Sequence, residues 1–178
     1  MANVNAGISD MGSVLTIAEK MLREYGHYKA VAAILAWVLS EGHIKHRLRA
    51  AGLLSAMGPL AEPAVPAILA CLASAEELPM LSAEEGEVCL RCIEALGRIG
   101  PRAAEASSVL EGWLRLDDPK AVLAAACTIA RIDKSRAELV LPILIPASQA
   151  LSERISRKAA VALRALGLTQ SRAVPVPA

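Results

Sequence analysis

Two cysteines three positions apart, Cys89 and Cys92, are the first residues whose type and spacing could do chemistry. On a helix they would share one face, where two thiols can bind a metal or form a redox pair. A structural zinc site needs four ligands, however, and no second Cys or His pair follows at the usual spacing. A redox pair belongs at a helix N-terminus, whereas this one falls inside a predicted helix. We therefore predict that both thiols pack as small core residues.

A second candidate pair, His43 and His46, also shares a helical face. The chain has only three histidines, and the nearby Lys45 and Arg47 would repel a metal cation. We interpret this region as a solvated basic patch that could hold an anion or an acidic protein. Neither pair predicts a metal site, and no other cofactor is expected.

Catalytic residues are not predicted either. A nucleophile needs a base and an orienting group, and all three histidines lie at or before His46, with no Ser or Cys motif at a recognisable spacing. The glycines fall at predicted helix ends rather than in a phosphate-binding loop. We expect a protein that is not an enzyme.

Composition limits the class of protein and of partner. Of 178 residues, 54% are hydrophobic but only 2% are aromatic and none is Phe, which favours helices packed through small and aliphatic side chains. The net charge of +1 lacks the excess that binds nucleic acid. A charge-free run such as 139–152 is shorter than the roughly 18 residues of a membrane span. With no secretion signal at the first residues, we expect a cytoplasmic protein with reduced thiols.

One phrase occurs twice in the chain, as SAMGPLAEPAVPAIL at 55–69 and GRIGPRAAEASSVL at 97–110. In both, a helical pattern ends in an apolar residue, Gly and Pro. Similar helix ends occur at Tyr25-Gly26 and Leu166-Gly167, and Ile132-Asp133 occupies the remaining position. These ends recur about every 33 residues, with one longer interval. Glycine suits a helix end because positive φ costs it nothing, and Pro cannot prolong the helix.

Helix starts agree with this division. Ser82 and Glu85 form a predicted capping box, Asp118 precedes Pro119 as an N-cap, and Ser152 precedes another acidic residue. Together these signals predict one domain over residues 10–168 between flexible ends at 1–9 and 169–178. Its helical hairpins are expected at about 10–41, 43–74, 83–115 and 119–150, with a final helix at 153–166.

The chain resembles HEAT repeats, in particular the short bacterial kind also seen in phycobilisome-lyase-like proteins. The matching residues of two first helices are Arg47, Ala50, Ala51, Met57 and Gly58, and Val88, Ala95, Leu96, Gly97, Ile99 and Gly100. The phrase Ala64-Val65-Pro66-Ala67-Ile68 matches the second helix. The chain departs from the family where its usual Arg is replaced by Cys89, Val122 or Ser156. The resemblance implies an all-α, right-handed α-solenoid of about four hairpins plus a terminal helix, with the second helices on the concave side.

The predicted second helices carry long uncharged stretches at 30–40, 63–75 and 139–152, which predicts a groove of small residues for a partner helix or peptide. Trp37 is expected in the core. Trp113 either anchors a partner or fills a gap in the packing, and Met80 and Leu81, in the extra residues 73–82, either contact a basic partner or pack into their own loop. The candidate partner-binding residues are Ala67, Ala70, Cys71, Trp113, Met80 and Leu81.

Three functions remain open from the sequence. The preferred hypothesis is a scaffold or regulatory adaptor that binds a protein or peptide on its concave face. A bilin-lyase-like or other accessory activity of an enzyme is the alternative that the resemblance keeps. A third possibility is a structural homo-oligomer formed through the same uncharged face or through the uncapped N-terminal hairpin.

Overall fold

The computed structural model describes residues 5–76 and 82–168 of the chain, and within these ranges it is entirely helical, as predicted. The α-helices are α1 (Asn5–Glu24), α2 (Tyr28–Glu41), α3 (Ile44–Met57), α4 (Val65–Glu76), α5 (Ala83–Ile99), α6 (Ser107–Trp113), α7 (Pro119–Ile132), α8 (Ala137–Ser148) and α9 (Glu153–Ala165). Short 3-10 segments follow three of them, at Gly58–Ala64, Gly100–Ala106 and Lys134–Arg136.

The helices pack in two layers. The odd-numbered helices form the first layer, in which α1 contacts α3, α3 contacts α5, α5 contacts α7 and α7 contacts α9. In the second layer α2 contacts α4, and α4 contacts α6. Each even-numbered helix also packs against the odd-numbered helix that follows it in the chain, as α4 does against α5 and α8 against α9. The second helices therefore join consecutive units of the stack.

The ends of the chain differ slightly from the sequence-based boundaries. Helix α1 begins at Asn5, inside the segment 1–9 that was expected to be flexible. The expected flexible tail at 169–178 lies outside the described residues, and so does most of the extra segment 73–82, of which α4 contains the part up to Glu76.

The repeated Gly-Pro phrase produces the same backbone conformation at both of its occurrences. Gly58 ends α3 with φ 57° and ψ −130°, and Gly100 ends α5 with φ 77° and ψ −148°. Other residues rarely adopt this combination because their Cβ atoms would clash with the backbone. Each glycine is followed by Pro and a 3-10 segment that leads into the next helix. The phrase occurs twice because each of these two turns uses a Gly at positive φ followed by Pro.

Two of the three predicted N-caps are confirmed by their hydrogen bonds. The Ser82 hydroxyl accepts from the Glu85 backbone N–H while the Glu85 carboxylate accepts from the Ser82 N–H, and Asp118 accepts from the Lys120 N–H at 2.8 Å. Ser152 stands at the N-cap of α9 but makes no such bond through its side chain. At the glycine-free end of α7, the Asp133 carboxylate accepts from the Ser135 backbone N–H instead.

The first layer is held together by small side chains. Ala50, Cys92, Ala95 and Ala125 are fully buried between its helices. Helices α5 and α7 come so close that a Cβ atom added to Gly97 would lie 3.0 Å from the Thr128 hydroxyl, which itself donates to the Ile93 carbonyl at 3.1 Å. Larger aliphatic residues fill the space between the layers, where each fully buried Leu or Ile stabilises the fold by about 1.5–3 kcal/mol.

One helical run, 44–75, is long and apolar enough to cross a membrane by length and composition alone, with a mean hydropathy of 1.5. This is a weak indication, since helices in the core of a soluble protein pass the same test. The run also turns at Gly58 between α3 and α4.

Replacing Gly100 by Ala is expected to lower the free energy of unfolding by about 1–3 kcal/mol, because Ala would be held at positive φ and negative ψ. Gly86, within α5, has open space at its Cβ position, so Gly86→Ala is expected to raise stability by up to about 1 kcal/mol. Urea unfolding of both variants checks the pair. A Gly100→Ala variant as stable as the Gly86→Ala variant would contradict the turn described here.

Candidate functional site

Three of the second helices carry few charged residues on the exterior. In α2, α4 and α8, charged residues occupy only the second or the last position. The exposed positions between them are apolar or small, and we call this set the second-helix surface: Ala33, Trp37, Pro66, Ala70, Leu139, Pro142 and Ile145. Helices α2 and α4 contact each other, whereas α8 packs on α7 and α9.

Three large side chains of this surface are about half exposed: Trp37 at 49%, Leu139 at 46% and Ile145 at 47%. Their helices each bury a different face, as α2 does with Val31 and Leu35. Core packing therefore does not require apolar residues at the exposed positions. Large apolar side chains left exposed on helices with few charges are a feature of interaction surfaces.

The candidate partner-binding residues divide between this surface and the core. Ala70 is exposed and Ala67 is half-buried, so both can be reached by a partner. Cys71 is only 8% exposed and points into the core, which makes its assignment to the groove wrong. Met80 and Leu81 lie outside the described residues.

The structure separates the two tryptophans. Trp113, at the end of α6, is 2% exposed and packs in the core, which agrees with the gap-filling role and not with the anchoring role that the sequence left open. Its indole Nε1 is buried with no hydrogen-bond partner among the described residues. Trp37 was expected in the core and is exposed. The apolar stripe of α2, with Val31, Leu35 and Val38, already indicated that position 37 faces away from the core.

A second feature, missed from the sequence, is a groove along the turns. Hollows of about 510 and 760 Å³ share the side chains of Lys29, Glu62 and Arg102. The Arg102 Nη1 atom lies 2.9 Å from the Glu62 Oε2 atom and links the two Gly-Pro turns across neighbouring units. Leu60 adds an exposed apolar side chain. The repeated Gly-Pro phrase was the signal, because equivalent turns of stacked units lie along one edge.

The structure also brings three cysteines and an arginine together. Cys71 of α4 faces Cys89 and Cys92 of α5, and all three are buried. The Arg47 side chain of α3 donates from Nη2 to the Cys71 sulfur at 3.2 Å and from Nε to the Leu39 carbonyl at 3.0 Å. The prediction that Cys89 and Cys92 are buried is confirmed, but the third thiol and the guanidinium were not anticipated.

Hydrogen bonds shape the acidity of this group, which we call the thiol cluster (Arg47, Cys71, Cys89 and Cys92). The thiols of Cys89 and Cys92, followed by the Arg47 guanidinium, hold the pKa of Cys71 well below its usual value against the opposing effect of burial. The same hydrogen bonds and burial raise the pKa values of Cys89 and Cys92. These opposite directions favour ionisation of Cys71 over ionisation of either thiol of α5. By contrast, burial raises the pKa of the distant Cys127 to about 11.

Metal-binding geometry is not found in the described ranges, where no group of three or more His, Cys, Asp or Glu side chains is arranged to hold an ion. His43 is exposed at the N-cap of α3, whereas His46 is half-buried and its Nδ1 atom makes no hydrogen bond with a described residue. The two imidazoles therefore differ in environment.

Comparison of the chain with models of protein families, with curated proteins and with solved structures finds no match. The resemblance to HEAT repeats thus rests on the motifs of the chain itself and on the packing described above.

The two tryptophans are expected to differ in fluorescence. A Trp113→Phe variant, which keeps Trp37, is expected to emit at longer wavelength and to be quenched by iodide because its indole meets water. A Trp37→Phe variant, which keeps the buried Trp113, is expected to emit at shorter wavelength and to resist iodide. Equal quenching of the two folded variants would contradict the exposure of Trp37.

Proposed function

We propose that the chain is a right-handed α-solenoid of about four HEAT-like hairpins closed by α9, and that it acts in the cytoplasm as a non-catalytic scaffold or adaptor for another protein. Supporting this are the two layers of helices, the contacts between consecutive units, and the repeated turn at Gly58 and Gly100.

The second-helix surface is the proposed binding site, and the single observation that carries the proposal is its exposed apolar content. Trp37, Leu139 and Ile145 lie half exposed on helices whose middle positions have no charge. A partly exposed Trp is a favoured anchor for a partner because it removes a large apolar area from water on binding. Trp37 therefore takes the anchoring role.

A helix or an extended apolar peptide is the proposed partner. The small side chains of Ala33 and Ala70 allow a partner backbone to approach closely, and an amphipathic helix would offer its apolar face to them. The helices that form the surface are already packed on the first layer. Binding would therefore cost little ordering of the scaffold.

Substitutions on the second layer, compared with one on the first layer, test whether the partner binds at the second-helix surface. Trp37→Ala and Ala70→Arg are expected to weaken binding of a partner captured by the wild-type chain about tenfold or more, because one removes the anchor and the other places a charge on the surface. Ile17→Arg is the matched control, since Ile17 is 57% exposed on α1 of the first layer. It is expected to bind like the wild type.

Measuring the affinity of each folded variant for the partner shows whether the second-helix surface is the binding site. Equal weakening by Ile17→Arg, or unchanged binding by both second-layer variants, would argue against the second-helix surface. Light scattering over a range of concentrations shows whether the partner is a second copy of the chain. In that case, Ala70→Arg is expected to convert the dimer to a monomer, and Ile17→Arg is not.

A further inference from the structure

The thiol cluster offers chemistry that a binding scaffold does not need. It joins three consecutive helices of the fold: Arg47 comes from α3, Cys71 from α4, and both Cys89 and Cys92 from α5. Packing alone would be satisfied by Ala, which occupies many of the buried positions of the first layer. Thiols differ from Ala in that they can be oxidised, so this contact between helices has a chemistry that packing does not use.

Arg47 distinguishes Cys71 from the other thiols. Its guanidinium is half-buried and donates directly to the Cys71 sulfur at 3.2 Å. Among the described side chains, no carboxylate lies within ion-pair distance of Arg47. A thiolate on Cys71 supplies the negative charge that this cation otherwise lacks.

The exposed fractions of the three cysteines also distinguish Cys71 from the other two. Cys71 keeps 8% of its surface exposed, whereas Cys89 keeps 2% and Cys92 none. Of the three cysteines, Cys71 is therefore the residue that solvent reaches most, although all three are buried. This order suits a reactive thiolate with a resolving thiol next to it.

We propose that Cys71 is a hydroperoxide-reactive cysteine, and that its oxidation ends in a disulfide that joins α4 to α5 through Cys89 or Cys92. The geometry of Arg47, the graded exposure and the contact between α4 and α5 carry this inference. The lowered pKa of Cys71 agrees with it. The proposal does not depend on the binding function of the second-helix surface.

The reaction proceeds in two balanced steps. The Cys71 thiolate attacks the terminal oxygen of the hydroperoxide, the O–O bond breaks, and the alkoxide or hydroxide leaving group takes a proton from water. The sulfur is oxidised to a sulfenic acid by two electrons while the peroxide is reduced. A thiol of α5 then attacks the Cys71 sulfur, the S–O bond breaks, and hydroxide leaves with the thiol proton as water.

Cys127 provides an internal control for the first step. It is 9% exposed, close to the exposure of Cys71, but no guanidinium of the described residues donates to its sulfur, which instead donates to the Lys158 carbonyl at 3.8 Å. With hydrogen peroxide as the probe, Cys71 of the full chain is expected to be oxidised at least about tenfold faster than Cys127. Alkylation of the remaining thiols followed by mass spectrometry measures both rates in one sample.

Variants test each step separately. In a Cys89→Ala, Cys92→Ala variant, the sulfenic acid on Cys71 is expected to persist and to react with dimedone, whereas the wild type is expected to give a disulfide that dithiothreitol reverses. Peptide mapping without reductant identifies its partner as Cys89 or Cys92. Arg47→Met is expected to slow oxidation of Cys71 about tenfold while that of Cys127 stays the same.

Three results would overturn the proposal. These are equal oxidation rates of Cys71 and Cys127 in the wild type, a wild-type product with no bond between Cys71 and α5, and an unchanged ratio of rates in an Arg47→Met variant whose circular dichroism shows a folded chain. An unchanged Cys127 rate in that variant excludes a general loosening of the fold as the reason for slower Cys71 oxidation.

Discussion

The close approach of α5 and α7 is the contact on which the rest of the structure depends. With no Phe in the chain, the first layer cannot fill wide gaps, and its helices must come together over Ala, Cys and Gly side chains. Gly97 and Thr128 mark a point of close approach, where one added methyl group would meet the Thr128 hydroxyl at 3.0 Å. The hydrogen bond to the Ile93 carbonyl satisfies the buried hydroxyl of Thr128.

The second layer follows from this tight first layer. Each even-numbered helix buries one face against the odd-numbered helices and turns the opposite face outward, as α2 does with Leu35 inward and Trp37 outward. Apolar side chains on the outward face gain nothing from the fold. Their presence is the physical basis of the proposed binding role, and it also explains why hydrophobic content alone did not distinguish core from surface.

The sequence predicted those features of the fold that depend only on residues close together in the chain. The all-helical class, the glycine ends at Gly58 and Gly100, and the caps at Ser82 and Asp118 are each determined within a few residues. The expected core position of Trp37 is wrong, whereas for Trp113 the structure selects the gap-filling role that the sequence left open. The periodic stripe of α2 contained the correct answer for Trp37.

The thiol cluster was beyond the reach of sequence reasoning for a different reason. The pair Cys89 and Cys92 is visible as a motif, but Cys71 and Arg47 belong to two other helices, and no spacing rule brings them to the same place. Their meeting is set by how α3, α4 and α5 pack in three dimensions. The motif was judged by the zinc and redox patterns of contiguous sequence, which this arrangement does not follow.

A double-mutant cycle at the contact between α5 and α7 tests the central claim most directly. Gly97→Ala is expected to lower the free energy of unfolding in urea by about 1–3 kcal/mol in the wild-type background, because the new methyl group crowds Thr128. In a Thr128→Ala background the same substitution is expected to cost at least about 1 kcal/mol less, since the crowding atom is gone. Equal effects of Gly97→Ala in both backgrounds would contradict the close packing on which the two layers rest.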